Sequence, residues 1–230
     1  MPISHNQKTI FVHIPKTGGG TIEKSLGIFG EDNNGSLNPD LNILYGGKQL
    51  HHLTIMEIKK IKNSEYKTYK KVSFVRNPYD KLVSEYLWRM QIYSKKKISF
   101  KEFLIDEVIP RKNGIDTYIK NFYKNENIIQ FLDIHYLDQY KFLINDENNI
   151  DMDFIGKFEN LEKEFNKIFN TKILKHKIHK SKSNYLYYLY KKFMPNFLKK
   201  NAYRKFYDNE TRNLVNKEYS KDLEYFNYNF

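Results

Sequence analysis

Residues 8–21 read KTIFVHIPKTGGGT, and the change of character inside this stretch decides the fold. Lys8 to Ile14 is a short β-branched and aromatic run, the composition of a strand. It stops at Pro15, and Lys16-Thr17-Gly18-Gly19-Gly20 follows as a glycine loop before Thr21 to Phe29, which can form a helix. A strand feeding a glycine loop and then a helix aims several backbone N–H groups and the positive end of the helix dipole at one point, where an anion binds. Glycines let the backbone approach a phosphate closely, Lys16 adds a mobile point charge, and Thr17 and Thr21 add hydroxyl donors. The order is not that of Walker A, where the lysine follows the last glycine; here Lys16 precedes all three. An ordinary glycine-rich turn is the competing reading of the same residues.

Outward from this unit, residues 31–47 are rich in Asn, Gly and Pro, which makes them a long surface loop. Thr54 to Lys62 resumes helical spacing, with Ile55, Ile58 and Ile61 on one side. Lys71 to Val75 is a second strand, followed by Arg76-Asn77-Pro78 and an amphipathic helix from Tyr79 to Tyr93, where a proline in the first turn loses no needed donor. Another helix covers Phe100 to Ile109, and residues 127–143 are ambiguous. Met152 to Phe158 makes a third strand, Asn160 caps a helix through Phe169, and Asp208 to Thr211 starts a last helix that carries Leu214 to Leu223. Strands alternating with helices indicate an α/β fold: a P-loop-like, three-layer arrangement with a central parallel sheet flanked by helices. No internal repeat or linker appears, so residues 1–230 form one domain.

Arg76 leaves the carboxyl end of the second strand, where open parallel sheets bind ligands, and Ser84 lies about two helical turns further on. Both can reach one phosphate group. The chain has only five arginines, so one at this spot favours planar, bidentate contact; a structural Arg–carboxylate pair is the alternative.

The composition bounds the partners. The 230 residues carry 39 Lys plus Arg against 27 Asp plus Glu, a formal charge of +12, which admits nucleic acid, an anionic membrane or an anionic small molecule or polysaccharide. The bias towards Lys and Asn reads as a solvated surface, and no nucleic-acid-binding signature is present. Without cysteine there is neither disulfide nor thiolate chemistry nor Cys-ligated zinc. No signal peptide or membrane-spanning run is visible, which implies a soluble cytoplasmic protein.

Two motifs together resemble the sulfotransferases that use 3′-phosphoadenosine-5′-phosphosulfate (PAPS), in particular the carbohydrate branch that includes heparan sulfate 2-O-sulfotransferase. Phe11 to Thr21 (FVHIPKTGGGT) resembles the loop that holds the 5′-phosphosulfate, with Gly20 where the family often has a small hydroxyl residue. Phe74 to Tyr86 (FVRNPYDKLVSEY) resembles the segment whose Arg and Ser hold the 3′-phosphate, positions filled by Arg76 and Ser84. Asp153 to Leu161 and Tyr219 to Tyr228 extend the similarity over most of the chain. The resemblance implies transfer of a sulfuryl group to a carbohydrate hydroxyl, with PAP as product and no metal required. Golgi relatives carry a membrane anchor and no spanning run is visible here, so the expected acceptor is a bacterial or viral surface glycan in preference to animal matrix.

The acceptor hydroxyl must lose a proton, and a neutral imidazole is suited to taking it. His51 and His52 both lie between the Gly46-Gly47 loop and the helix at Thr54, and either can face the strand ends. In the resembling family the base is a His followed by a small or apolar residue and then Ser or Thr; His52-Leu53-Thr54 fits that frame. Lys16 would keep the imidazole neutral and stabilise the leaving-group oxygen. His13 reads as structural or loop-orienting, His135 has no evident constellation, and His5 belongs to a loose terminus. The segment Lys172 to Lys182 is strongly basic and Asn184 to Tyr190 rich in tyrosine. They are a solvated loop and a packed helix, a grip for single-stranded nucleic acid or an acidic sugar, or, by resemblance, a loop closing over the nucleotide through Ser181. A P-loop kinase-like enzyme and a basic nucleic-acid-binding module remain as alternative functions, and the sequence is silent on oligomeric state.

Overall fold

A computed structural model describes residues 2–28, 44–45, 48–92, 98–114, 133–171, 173 and 201–230. Four strands form its main sheet: β1 (Ile3–Ser4), β2 (Thr9–Val12), β5 (Lys70–Val75) and β6 (Phe154–Lys157), in the order β1-β2-β5-β6. β2 and β5 are parallel with Phe11 opposite Val72, and β5 and β6 are parallel with Phe74 opposite Gly156. β1 pairs antiparallel with β2 at the edge. A separate two-stranded ribbon joins β3 (Leu44–Tyr45) to β4 (Lys48–Gln49). The helices are α1 (Gly19–Ser25), α2 (Ile55–Ile61), α3 (Asn63–Thr68), α4 (Pro78–Ile92), α5 (Phe100–Glu102), α6 (Leu161–Asn166), α7 (Asn209–Glu218) and α8 (Ser220–Tyr225).

Strand side chains alternate between faces, and the two faces feed two separate cores. Ile10, Val12 and Val75 pack with Leu53, Ile55 and Ile58 near α2 and with Tyr79, Leu82 and Val83 of α4. Phe11, Val72 and Phe74 pack on the opposite side with Ile22 and Leu26 near α1 and with Phe165 and Phe169 near α6. The sheet is therefore the middle of three layers, and each fully buried Phe contributes on the order of 2–3 kcal/mol. Gly156 makes room for this packing, because a Cβ there would lie 2.4 Å from the Phe74 ring across the register pair.

Local signals set most boundaries. Thr54 accepts a hydrogen bond from the Glu57 N–H (3.3 Å) while Glu57 accepts from the Thr54 N–H (2.8 Å), and Asp208 with Thr211 closes the same kind of box at α7. Three expectations need correction. Asn160 stands at the start of α6 but its side chain makes no capping bond, and a 3₁₀ turn, Phe158–Asn160, supplies the entry instead. The terminus around His5 is tied down: the Phe11 N–H donates to Pro2 O (2.9 Å), Ser4 Oγ donates to Leu26 O (2.8 Å), and His5 pairs with Tyr69 OH (2.9 Å). The last helix is broken into α7 and α8 at Tyr219, whose buried hydroxyl donates to Tyr136 O (2.8 Å). α5 also continues as a π-helical turn over Phe103–Val108, and the described part of the ambiguous stretch holds two 3₁₀ turns, Asp133–Tyr136 and Gln139–Phe142.

The three parallel strands end on the same side, so His13, Arg76 and Phe158 leave the sheet together. This is the edge at which α/β sheets place ligands.

Candidate active site

The glycine loop leaves β2 through two left-handed residues, Lys16 (φ 68°) and Gly18 (φ 87°). The first costs on the order of 1 kcal/mol in a non-glycine residue. Two bonds hold it: Thr17 Oγ1 donates to Ile14 O (2.8 Å) and Arg76 Nη1 donates to Lys16 O (3.0 Å). Thr17, expected to donate to a ligand, spends its proton inside the loop. Gly19 opens α1 directly under the His13 ring, where a Cβ would meet His13 Nε2 at 1.9 Å. His13 Nδ1 is itself paired with Glu23 Oε1 (2.9 Å), so this ring packs and orients the loop. The N–H groups of Lys16, Thr17, Gly18, Gly19 and Gly20 have no acceptor among the described residues, whereas those of Thr21 and Ile22 turn back to Gly18 O. That row of free donors, more than the dipole of a seven-residue helix, gives the loop the chemistry to accept an anion.

Arg76 is positioned from three directions. Gln139 pairs with its backbone, accepting from Arg76 N (2.9 Å) and donating to Arg76 O (2.8 Å), and Asp222 of α8 in turn accepts from Gln139 N (2.8 Å). The guanidinium lies 4.4 Å from the centre of the Phe158 ring. Its Nε and Nη2 both lie 2.8 Å from Asp80 Oδ2, the Arg–carboxylate pair that was the alternative to phosphate binding. That pair does not exhaust the guanidinium. Of five N–H donors, two go to Asp80 and one to Lys16 O, which leaves one on each Nη. Ser84 is half-buried on α4, and its hydroxyl makes no hydrogen bond to the described residues.

His52 is buried and its Nδ1 lies 2.9 Å from the His13 carbonyl oxygen. A carbonyl only accepts, so Nδ1 carries the proton and Nε2 keeps its lone pair in the neutral ring. Burial, with His13, His51 and His135 around it, holds the imidazole well below its ordinary pKa, against the smaller opposing pull of the His13 carbonyl. His51 stacks edge-on at 4.0 Å between ring centres. The nitrogens of His13, His51 and His52 lie within 4.8 Å of one another, the one group of three among the described residues with metal-ligand spacing. It is a nitrogen set, suited to zinc and not to the oxygen-seeking Mg²⁺ of a phosphotransferase.

Lys16 Nζ sits 4.7 Å over the Trp88 ring and 3.9 Å from Glu85 Oε2. Burial pushes Lys16 down to about 8, with Glu85 holding it up against Arg76, Arg89 and Lys81. Glu85 also takes His135 Nδ1 (2.9 Å) and Arg89 Nε (2.7 Å), and His135 lies edge-on to His52 at 5.4 Å. Of the expected site residues, the fold thus brings Lys16, Thr17, the three glycines, His52 and Arg76 to the strand ends, with Thr21 following on α1 and Ser84 on α4, while Ser181 and the basic and Tyr-rich stretch around it lie outside the described residues. Sequence reasoning missed Glu85, His135, Trp88, Gln139 and Asp222. Only the Glu85–Arg89 spacing of four on one helix offered a local signal.

No curated protein and no solved structure matches this chain. A model described as the sulfotransferase family matches residues 1–229. With that match spanning the glycine loop, the arginine at the end of β5 and the closing α8, the chain belongs to the sulfotransferase family.

Proposed function

We propose that this sulfotransferase takes its sulfuryl group from PAPS and passes it to a carbohydrate hydroxyl, as one catalytic domain over residues 1–230. The observation that carries the reading is the commitment of His52 Nδ1–H to the His13 carbonyl at the root of the glycine loop. It leaves a neutral Nε2 as the base, fixed to the same turn that presents Lys16. The remaining donors fit a doubly phosphorylated nucleotide: five loop N–H groups for the 5′-phosphosulfate, and the two spare Arg76 donors with the Ser84 hydroxyl for the 3′-phosphate.

PAPS supplies the sulfuryl group and a phosphate leaving group. His52 Nε2 removes the proton of the acceptor hydroxyl as its oxygen forms the new bond to sulfur. Lys16 and the loop N–H groups neutralise the charge that collects on the phosphate oxygen as its bond to sulfur breaks. Trp88 stacks on His135, which lies edge-on to His52, so an aromatic cluster stands beside the base; we assign the acceptor to this side of the loop. No helix among the described residues is long and apolar enough to cross a membrane.

Thermal unfolding with PAP and with ADP tests the donor, because a ligand that binds only the native state raises its stability. PAP at 100 times its Kd should add about 2.7 kcal/mol, and ADP far less. Stabilisation by ADP but not PAP, or by neither, overturns the reading. Transfer of label from ³⁵S-PAPS to a panel of glycans then tests the acceptor, and label found only on non-carbohydrate hydroxyls removes that class.

A further inference from the structure

We propose that Glu85 is the positioning residue of the transfer step, its buried carboxylate clamping the Lys16 ammonium and the His135 imidazole into one frame with His52. The inference rests on the transfer reading for its effect on turnover, but its contacts stand on geometry alone. Glu85 is 1% exposed on α4. A buried carboxylate needs a partner, and Arg89, one turn on, provides it through Nε at 2.7 Å to Oε1. That pair is sufficient for charge balance, yet the second oxygen, Oε2, faces two further groups. His135 Nδ1 donates to it at 2.9 Å, and Lys16 Nζ approaches it at 3.9 Å.

Each contact has a chemical consequence. By accepting the Nδ1–H of His135, Glu85 fixes the tautomer in which Nε2 holds the lone pair, the same tautomer that His13 O imposes on His52. Trp88 stacks on His135 at 5.4 Å and underlies the Lys16 ammonium at 4.7 Å, so one indole and one carboxylate seat both groups. A closed chain of contacts results: Lys16 to Glu85, Glu85 to His135, His135 against His52, His52 to the His13 carbonyl, and His13 back to Lys16 through the loop.

The charge of Glu85 matters because, among the described residues, the other charged groups acting on Lys16 are cations: Arg76 beyond β5, and Arg89 and Lys81 on α4. Glu85 itself faces Arg89, His135 and Lys16, and His135 faces Glu85, Lys16, Arg89 and His52. Removing the one anion leaves an ammonium among guanidinium and ammonium groups, and it sheds its proton more readily.

Glu85→Gln tests this, since the amide keeps the shape and an acceptor oxygen but not the charge. The titration of Lys16, followed by NMR of ¹³C-methylated lysines and assigned with Lys16→Arg, should move down by about one to three pH units. Turnover should fall at least about tenfold at pH 8, with the alkaline limb of its pH profile displaced downward and the KM for PAPS changed less than about threefold. His135→Asn should lower kcat without moving the Lys16 midpoint. A purely structural Glu85 would change stability and leave both the midpoint and the pH profile where they are, which overturns the proposal. If Glu85→Gln does not fold, Glu85→Asp, which withdraws the carboxylate by one methylene, must still lower the midpoint; an unmoved midpoint overturns the proposal equally. A lowered midpoint in a protein that does not turn over PAPS supports the clamp and overturns the assigned reaction, so the two failures are distinct.

Discussion

Replacing Arg76 by alanine separates its two roles. In the structure the guanidinium neutralises Asp80 through two contacts to Oδ2 at 2.8 Å and braces the strained loop through Lys16 O at 3.0 Å. Breaking a buried pair by removing one partner costs about 3–5 kcal/mol because a charge is left uncompensated, and the 13% exposure of the Asp80 side chain places the loss near 3 kcal/mol. For a chain of this length that corresponds to a fall in Tm of roughly 6–12 °C. Deleting Asp80 as well removes the orphaned anion. What then stays lost is the bond to Lys16 O, about 1 kcal/mol, and a favourable charge in the first turn of α4, about 0.3–1 kcal/mol. The double variant Arg76→Ala/Asp80→Ala should therefore lie only about 1–2 kcal/mol below the wild type while remaining unable to hold the 3′-phosphate. PAP affinity by calorimetry should drop at least about tenfold in both variants, since a hydrogen bond to a charged group is worth about 1.5–3 kcal/mol. Denaturant unfolding of the four proteins closes the cycle. If the double variant is no more stable than Arg76→Ala, isolation of Asp80 is not the cause of the loss; if PAP affinity survives, Arg76 does not bind the phosphate.

Three further outcomes are expected. His52→Ala should lose at least about a hundredfold in turnover, the contribution of a positioned base, with PAP affinity within about threefold of wild type; turnover near the wild-type rate removes His52 from the role. Gly19→Ala should lower Tm by roughly 2–12 °C, because its Cβ would lie 1.9 Å from a His13 ring that Glu23 and Phe11 hold in place, and overpacking costs about 1–3 kcal/mol; an unchanged Tm would show that the ring can yield. Burial alone would push the Glu85 carboxyl up, but His135, Lys16 and Arg89 hold it down at about 2, below its ordinary 4.5. A depressed acid contributes stability that is present above pH 4.5 and lost as pH falls towards 2, here on the order of 3 kcal/mol. Unfolding free energies measured between pH 6 and 2.5 should show that loss in the wild type and a shallower one in Glu85→Gln; parallel curves refute it.

What the sequence revealed and what it hid follow from range. The strand–loop–helix unit, the second strand with its following helix, and the capped starts of α2 and α7 all rest on residues within a few positions of one another, such as Thr54 with Glu57 and Asp208 with Thr211. Arg76 was legible for the same reason, and the carboxylate it pairs with, Asp80, lies only four residues on in the first turn of α4. The rest was set by contacts across the chain. His135 meets Glu85 over 50 residues, Gln139 meets Arg76 over 63, and Asp222 meets Gln139 over 83. No local pattern marks such a histidine or glutamine, because its role exists only once the sheet has brought the segments together. β1 escaped notice for another reason: two residues, Ile3 and Ser4, are too few to show alternation, and they pair only because β2 offers an open edge.

The bond from Arg76 Nη1 to Lys16 O has a mechanical consequence for binding. Under the proposed function the two residues belong to different ends of the donor, the 3′-phosphate and the transferring group. Lys16 occupies a left-handed conformation that the chain would leave if unsupported, and its carbonyl can accept from Arg76 only while that conformation is kept. A 3′-phosphate that orders the guanidinium therefore also stiffens the turn from which the Lys16 ammonium projects. The coupling must be reciprocal in binding free energy. ³′-Phosphate-free analogues of the donor should lose more than the direct contacts to Arg76 and Ser84, because the loop that grips the other end is then less well held. In the Arg76→Ala/Ser84→Ala variant both the extra loss and the direct contacts should vanish, and analogues with and without the 3′-phosphate should bind with nearly equal affinity. A difference of more than about fivefold persisting in that variant would mean that the phosphate is held by groups other than Arg76 and Ser84, and that the loop and the end of β5 act independently.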